Sequence, residues 1–110
     1  MQHRHLLSPV ELRGHRLRNR IVFGAHTNNM AEGGLPGART AGYLLERALG
    51  GAAMIVAEPM PVHRTGVLTR GNFLHGTDEV IPHFRIYILK CRDTMQMEII
   101  KFQYLIMPFW

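Results

Sequence analysis

The chain has 110 residues, enough for one small domain. Its formal charge of +5 and pI near 10.1 raise the question of an anionic partner, while a single cysteine, Cys91, excludes an internal disulfide and a cysteine metal set. A reducing compartment is the simplest reading, and the protein is expected to be soluble and cytoplasmic.

At the N-terminus, Arg4 and its polar neighbours are followed only by Leu6-Leu7 before Ser8-Pro9, which is no signal-peptide core. The apolar region near the C-terminus is broken by Lys101 and Gln103 and is too short to span a bilayer, so no membrane partner is expected. Val10-Glu11-Leu12-Arg13 and Leu17-Arg18-Asn19-Arg20-Ile21 largely alternate apolar and charged residues on either side of Gly14-His15. This pattern predicts a β-hairpin whose glycine permits positive φ, covering one end of a larger core. The cluster Arg13, Arg16, Arg18 and Arg20 reads as the solvated face of that hairpin. With no aromatic platform or reader motif beside it, a nucleic-acid partner is not expected.

Arg20-Ile21-Val22-Phe23-Gly24-Ala25-His26-Thr27 is an apolar run of strand length that stops in a polar, small-residue segment, Asn28 to Gly37. That segment has neither a Gly-Lys-Ser/Thr ending nor a G-x-G-x-x-G fingerprint. It reads as a strand-to-helix connection, with Gly33, Gly34 and Gly37 for turns and Pro36 for rigidity. Ala41, Leu44, Leu45, Ala48 and Leu49 then have helical spacing, in a helix starting near Arg39 or Thr40 and capped by Gly50-Gly51. A second strand follows at Ala52-Ala53-Met54-Ile55-Val56-Ala57-Glu58-Pro59. Two strands joined by a helix form a parallel βαβ unit, so the strand ends near Thr27 and Pro59 open on one face. Such faces are where α/β proteins place ligands.

The loop from Pro59 through Gly66, Gly71-Asn72 and Asp78 is long for a mere connector. Its His63 and His75, with His83 beyond, lack metal-helix spacing, and no metal is expected. Asp78-Glu79 before Val80-Ile81-Pro82-His83-Phe84 marks another helix, with Pro82 in its first turn.

In order and spacing, Asn19 to Thr27, Glu32-Gly33-Gly34-Leu35-Pro36, Tyr43-Leu44-Leu45-Glu46-Arg47-Ala48, Ile55-Val56-Ala57-Glu58-Pro59 and Gly66 resemble the N-terminal part of the old yellow enzyme family. The resemblance runs from about Leu6 to Phe84. It is greatest to the larger branch with trimethylamine dehydrogenase, dienoyl-CoA reductase and N-methyl amino-acid (N-methylproline) demethylases.

The resemblance implies an FMN-dependent (β/α)8 barrel that takes hydride from NADH or NADPH and exchanges it with a small organic substrate. In the family, residues ending the first strand lie against the flavin. Ala25 stands where a proline is common, His26 where a methionine is common, and Thr27 where a threonine or cysteine contacts the ring and tunes its potential. Pro59 stands where a small residue offers backbone contacts to the ring. No catalytic residue is assigned, since the family's substrate-anion pair, its later tyrosine and arginine, and its phosphate loops lie beyond the matched region. An iron-sulfur cluster would belong only to a longer relative.

A complete barrel needs about 250 residues, so the expected fold is α/β: the N-terminal fragment of a (β/α)8 TIM barrel preceded by a β-hairpin. Residues 1–85 would hold the hairpin and first βα units. Residues 86–110 change character. All 11 glycines and all seven histidines precede Arg85, whereas Lys90 and Lys101, the only lysines, follow it. That tail is read as a non-native reading frame, the alternative being a divergent helix and strand, since Met95 to Ile99 alternates. The expected function is an FMN-dependent oxidoreductase, truncated and of little activity alone, with self-association or chaperone binding. Competing readings are a small basic anion- or nucleic-acid-binding module and a fragment completed by another chain.

Overall fold

The hairpin forms where alternation and a glycine coincide. In the computed structural model, which describes residues 2–74, 78–95 and 100–101, β1 (Val10–Leu12) pairs antiparallel with β2 (His15–Leu17). The turn residues are Arg13 (φ 48°) and Gly14 (φ 82°) rather than Gly14 and His15, so both central positions are left-handed. Val10 and Leu17 face each other across the ladder and pack on Ala53 and Met54, while Glu11 and Arg16 point outward. A short α1 (Arg4–Leu7) precedes the hairpin and is tied to it by the Arg20 N–H donating to the Leu6 carbonyl at 2.9 Å.

The hairpin caps the core as expected, but not all of its arginines are only solvated. Arg18 Nη2 donates to the Ala48 and Ala52 carbonyls, each at 3.0 Å, and Asn19 Nδ2 donates to the Gly51 carbonyl at 2.8 Å. These carbonyls lie where α2 (Ala38–Leu49) ends and the chain turns into β4 (Met54–Val56). The last carbonyls of a helix have no partner within it; Arg18 and the Gly51 N–H supply donors to that of Ala48, while Arg18 and Asn19 hold the Ala52 and Gly51 carbonyls of the turn that follows.

β3 (Val22–Phe23) pairs parallel with β4 in the register Val22 to Met54 and Phe23 to Ile55. After α3 (Val80–Met95), β5 (Ile100–Lys101) pairs parallel with the other side of β4, giving the order β3-β4-β5. Each pair is joined through a helix, as parallel neighbours require. His75, residues 96–99 with most of the Met95 to Ile99 alternation, and residues 102–110 lie outside the described residues.

The α2 stripe is rotated from its sequence reading. Its buried positions are Thr40, Leu44 and Ala48, spaced by four, with Ala41 and Leu45 half-buried and Leu49 53% exposed. Gly37 stands at the N-cap without a side chain to offer, and Glu32 reaches across the loop so that its Oε1 accepts the Arg39 N–H at 3.3 Å. A Cβ at Gly37 would overlap the Glu32 carboxylate, so the glycine makes room for this cap. At the other end Gly51, with φ 109°, turns the chain out of the helix. Leu44, Ala48, Ile55, Met60, Phe73 and Phe84 form the core between α2, α3 and the sheet, with Phe73 edge-on to Phe84 at 5.0 Å.

Candidate functional site

Parallel strands deliver their following segments to one side, and here those segments are stitched together. After β3 the chain runs extended to Asn28, whose Oδ1 accepts the Met30 N–H at 3.0 Å, and Asn29 takes a left-handed φ of 59°. After β4 comes a long loop containing a 3-10 turn at Arg64–Gly66. Asn72 Oδ1 holds this loop by accepting the Leu68 and Thr69 N–H groups at 2.8 and 3.0 Å. Thr69 Oγ1 donates to Asn29 Oδ1 at 2.5 Å, and the Ala31 N–H donates to the Gly71 carbonyl at 3.1 Å. The close approach depends on Gly71, where a Cβ would lie 2.5 Å from the Asn29 carbonyl oxygen.

Between the segments lies a cavity of about 140 Å³ whose wall includes Thr27, Pro59, Met60, His63, Thr65 and Asn72 and, among the described residues, contains no Asp, Glu, Lys or Arg. His63 caps the 3-10 turn: its Nδ1 accepts the Thr65 N–H at 3.3 Å and faces the Thr65 hydroxyl at 2.9 Å. An Nδ1 that accepts leaves the ring proton on Nε2 when the imidazole is neutral.

Of the four residues singled out in the sequence, Thr27 and Pro59 meet at this cavity and Ala25 and His26 do not. Ala25 is exposed beyond the strand end. His26 is turned to α2, its Nε2 3.0 Å from the Tyr43 hydroxyl and its ring edge-on to Phe23 and Tyr43 at 5.2 and 6.0 Å. The Arg47 guanidinium stacks on Tyr43 at 3.5 Å, completing a four-residue cluster with Phe23. A cation over an aromatic face is an attractive contact worth about 0.5–1 kcal/mol where exposed.

One polar residue beside the site was not singled out. Glu58, next to Pro59, is only 4% exposed, and neither carboxyl oxygen completes a hydrogen bond among the described residues. Burial pushes its acid up to about 7, against the opposing pull of the Asn28 backbone and side-chain amides. The signal was available: Glu58 is the one charged residue within the apolar run from Ala52 to Pro59. Among the described residues no group of three His, Cys, Asp or Glu side chains could hold a metal ion, and no helix is long and apolar enough to cross a membrane.

A strand-end cavity walled by Thr27 and Pro59 is where the resemblance located a flavin, and the family comparison decides the lineage. Residues 5–105 match the model of the NADH:flavin oxidoreductase / NADH oxidase family. The chain belongs to this family. The match continues past Arg85 into the tail. A curated relative, named "Probable N-methylproline demethylase" from Rhizobium meliloti (strain 1021), is 38% identical over 81 residues, which are 73% of this chain and 12% of that protein. Among solved structures, the old yellow enzyme from Trypanosoma cruzi superposes with a TM-score of 0.77 at 25% identity over 91% of this chain. A 2-naphthoyl-CoA reductase in complex with 2-naphthoyl-CoA gives 0.81 at 22% identity over 91% of the chain, a likeness of fold. The chain spans 26% and 15% of those two structures. This member of the NADH:flavin oxidoreductase family therefore presents an α/β portion of much longer relatives, with its strand-end face in place.

Proposed function

We propose that this chain is the opening part of an FMN-dependent oxidoreductase, in which the βα units described above begin a (β/α)8 barrel and the Thr27–Pro59 face receives the flavin. The observation that carries this reading is the convergence of Thr27 and Pro59, from the ends of adjacent parallel strands, on one cavity. In a barrel this is the C-terminal face, where sites form.

The residues present fit one part of the group. A cavity of about 150 Å³ takes up a benzene ring, so 140 Å³ suits one six-membered ring of the flavin rather than all three. Its wall sets apolar groups beside the Thr27 and Thr65 hydroxyls, the Asn72 amide and the His63 imidazole, a mixture that suits a planar heteroaromatic ring. Among the described residues no Lys or Arg side chain lines it to meet a phosphate. The phosphate contacts and the remaining wall would come from further βα units.

Within that arrangement Thr27 would hold the ring through its hydroxyl hydrogen bond, and Pro59 would offer it backbone contacts. Ala25 and His26, which the resemblance also implies for the flavin, would act from outside this cavity, where Tyr43 holds His26. FMN, when bound, supplies two-electron chemistry between a reduced nicotinamide, NADH or NADPH, and a small organic substrate. Among the described residues β3 is an open sheet edge with Val22 46% exposed, which favours self-association or chaperone binding.

Titration of FMN with the 110-residue chain, followed by flavin fluorescence, tests the assignment. Saturable quenching that Thr27→Ala weakens by about fivefold, the worth of one neutral hydrogen bond of about 1 kcal/mol, is expected. Quenching insensitive to Thr27→Ala would remove the flavin from this face.

A further inference from the structure

Glu58 has a task that the cavity wall does not explain. A buried carboxyl group with no completed hydrogen bond is costly to keep unless something nearby answers it. The donors that bear on Glu58 are the backbone and side-chain amides of Asn28, which draw toward its ionised form without completing a bond of good geometry. Asn28 Oδ1 is already occupied by the Met30 N–H. Its Nδ2 hydrogens are the part left to face the carboxyl group. Asn28 follows Thr27, and Glu58 precedes Pro59, so one side-chain contact links the two residues that wall the cavity from behind.

We propose that Glu58 is a positioning residue for this wall: its carboxyl group takes up the Asn28 amides and through them sets where the Thr27 hydroxyl stands. As a carboxylate it is a stronger acceptor and draws Asn28 in; as a neutral acid it is a weaker one and the contact loosens. Among the described residues no charged group bears on Glu58: burial raises its acid and the Asn28 amides oppose that rise. The titratable and charged groups on the two flanking segments are His26 and Glu32 on one side and His63, Arg64, Arg70, Asp78 and Glu79 on the other. The role concerns the wall itself; only its use in holding a flavin rests on the function proposed above.

The test is a pH titration of the full 110-residue chain, read by the NMR shifts of the Thr27 and Asn28 backbone amides and the Asn28 side-chain amide. The expected result is a common midpoint near 7 that Glu58→Gln abolishes and His26→Gln preserves. A midpoint that persists in Glu58→Gln, or disappears in His26→Gln, would overturn the proposal. Should Glu58→Gln lose its helical circular dichroism, the carboxyl carbon shift of Glu58 in the unaltered chain gives the answer. A midpoint near 7 accompanied by Thr27 and Asn28 supports the role, and one near 4.5 or one that Thr27 and Asn28 do not follow rejects it. If the amides follow Glu58 but FMN is not quenched, the positioning role stands and the flavin assignment falls.

Discussion

Arg18 Nη2 lies 3.0 Å from both the Ala48 and the Ala52 carbonyl oxygens, so one guanidinium closes the end of α2 and the entry to β4. Hydrogen bonds from a charged donor contribute about 1.5–3 kcal/mol each when partly shielded from water. Arg18→Ala should therefore lower the stability by roughly 2 kcal/mol, measured as a shift in the urea midpoint. Arg18→Lys should recover less than half of it, because the lysine ammonium sits on a shorter side chain and does not extend as far as the terminal Nη2 that donates to both carbonyls. A fully restored midpoint in the lysine variant would show that charge alone is required.

Arg13 occupies a left-handed turn position, φ 48°, beside Gly14. A side chain there is disfavoured by about 1 kcal/mol, and asparagine tolerates the conformation better. Arg13→Asn should raise the thermal midpoint by a few degrees, on the order of 0.5–1 kcal/mol. The hairpin lies at the opposite end of the strands from the cavity, so FMN quenching should be unchanged.

Gly71 is where the two site segments touch. Alanine would place a Cβ 2.5 Å from the Asn29 carbonyl oxygen, and the backbone would have to shift to relieve it. Gly71→Ala should destabilise by about 1–3 kcal/mol, as forced overpacking does. Hydrogen exchange reads the effect locally: the Ala31 amide, which donates to the Gly71 carbonyl at 3.1 Å, should lose protection while the α2 amides lose less.

Glu58 predicts an unusual pH profile. Its acid is raised from 4.5 to about 7 in the folded chain. Between those values the folded state holds a proton that the unfolded state releases, so stability falls as pH rises through the window and levels off above it. The contribution is on the order of 3 kcal/mol. Denaturation midpoints at pH 5 and pH 8 should differ in that direction, and Glu58→Gln should remove this contribution. A wild-type profile rising over the same window would contradict the buried acid.

The sequence by itself determined the order of elements and the face on which they open. Alternation about Gly14 specified the hairpin, the apolar runs ending at Thr27 and Pro59 specified the strands, and a helix between them required those strands to be parallel. That requirement is local and topological, and it brought Thr27 and Pro59 to one cavity. Tertiary structure decided what meets what. The periodicity of α2 included Leu49 in the stripe, but packing in the core with Ile55 and Phe84 selected Leu44 and Ala48, the Met30 carbonyl took up the buried Thr40 hydroxyl, and Leu49 was left in water. Spacing cannot reveal that Arg18 reaches carbonyls 30 and 34 residues away, that Glu32 caps a helix across a glycine-rich loop, or that His26 turns from the cavity to Tyr43. Glu58 is the sharpest case. A charged residue in an apolar run was visible, but whether water, a partner or nothing meets its carboxyl group depends on segments distant in sequence that fold over it.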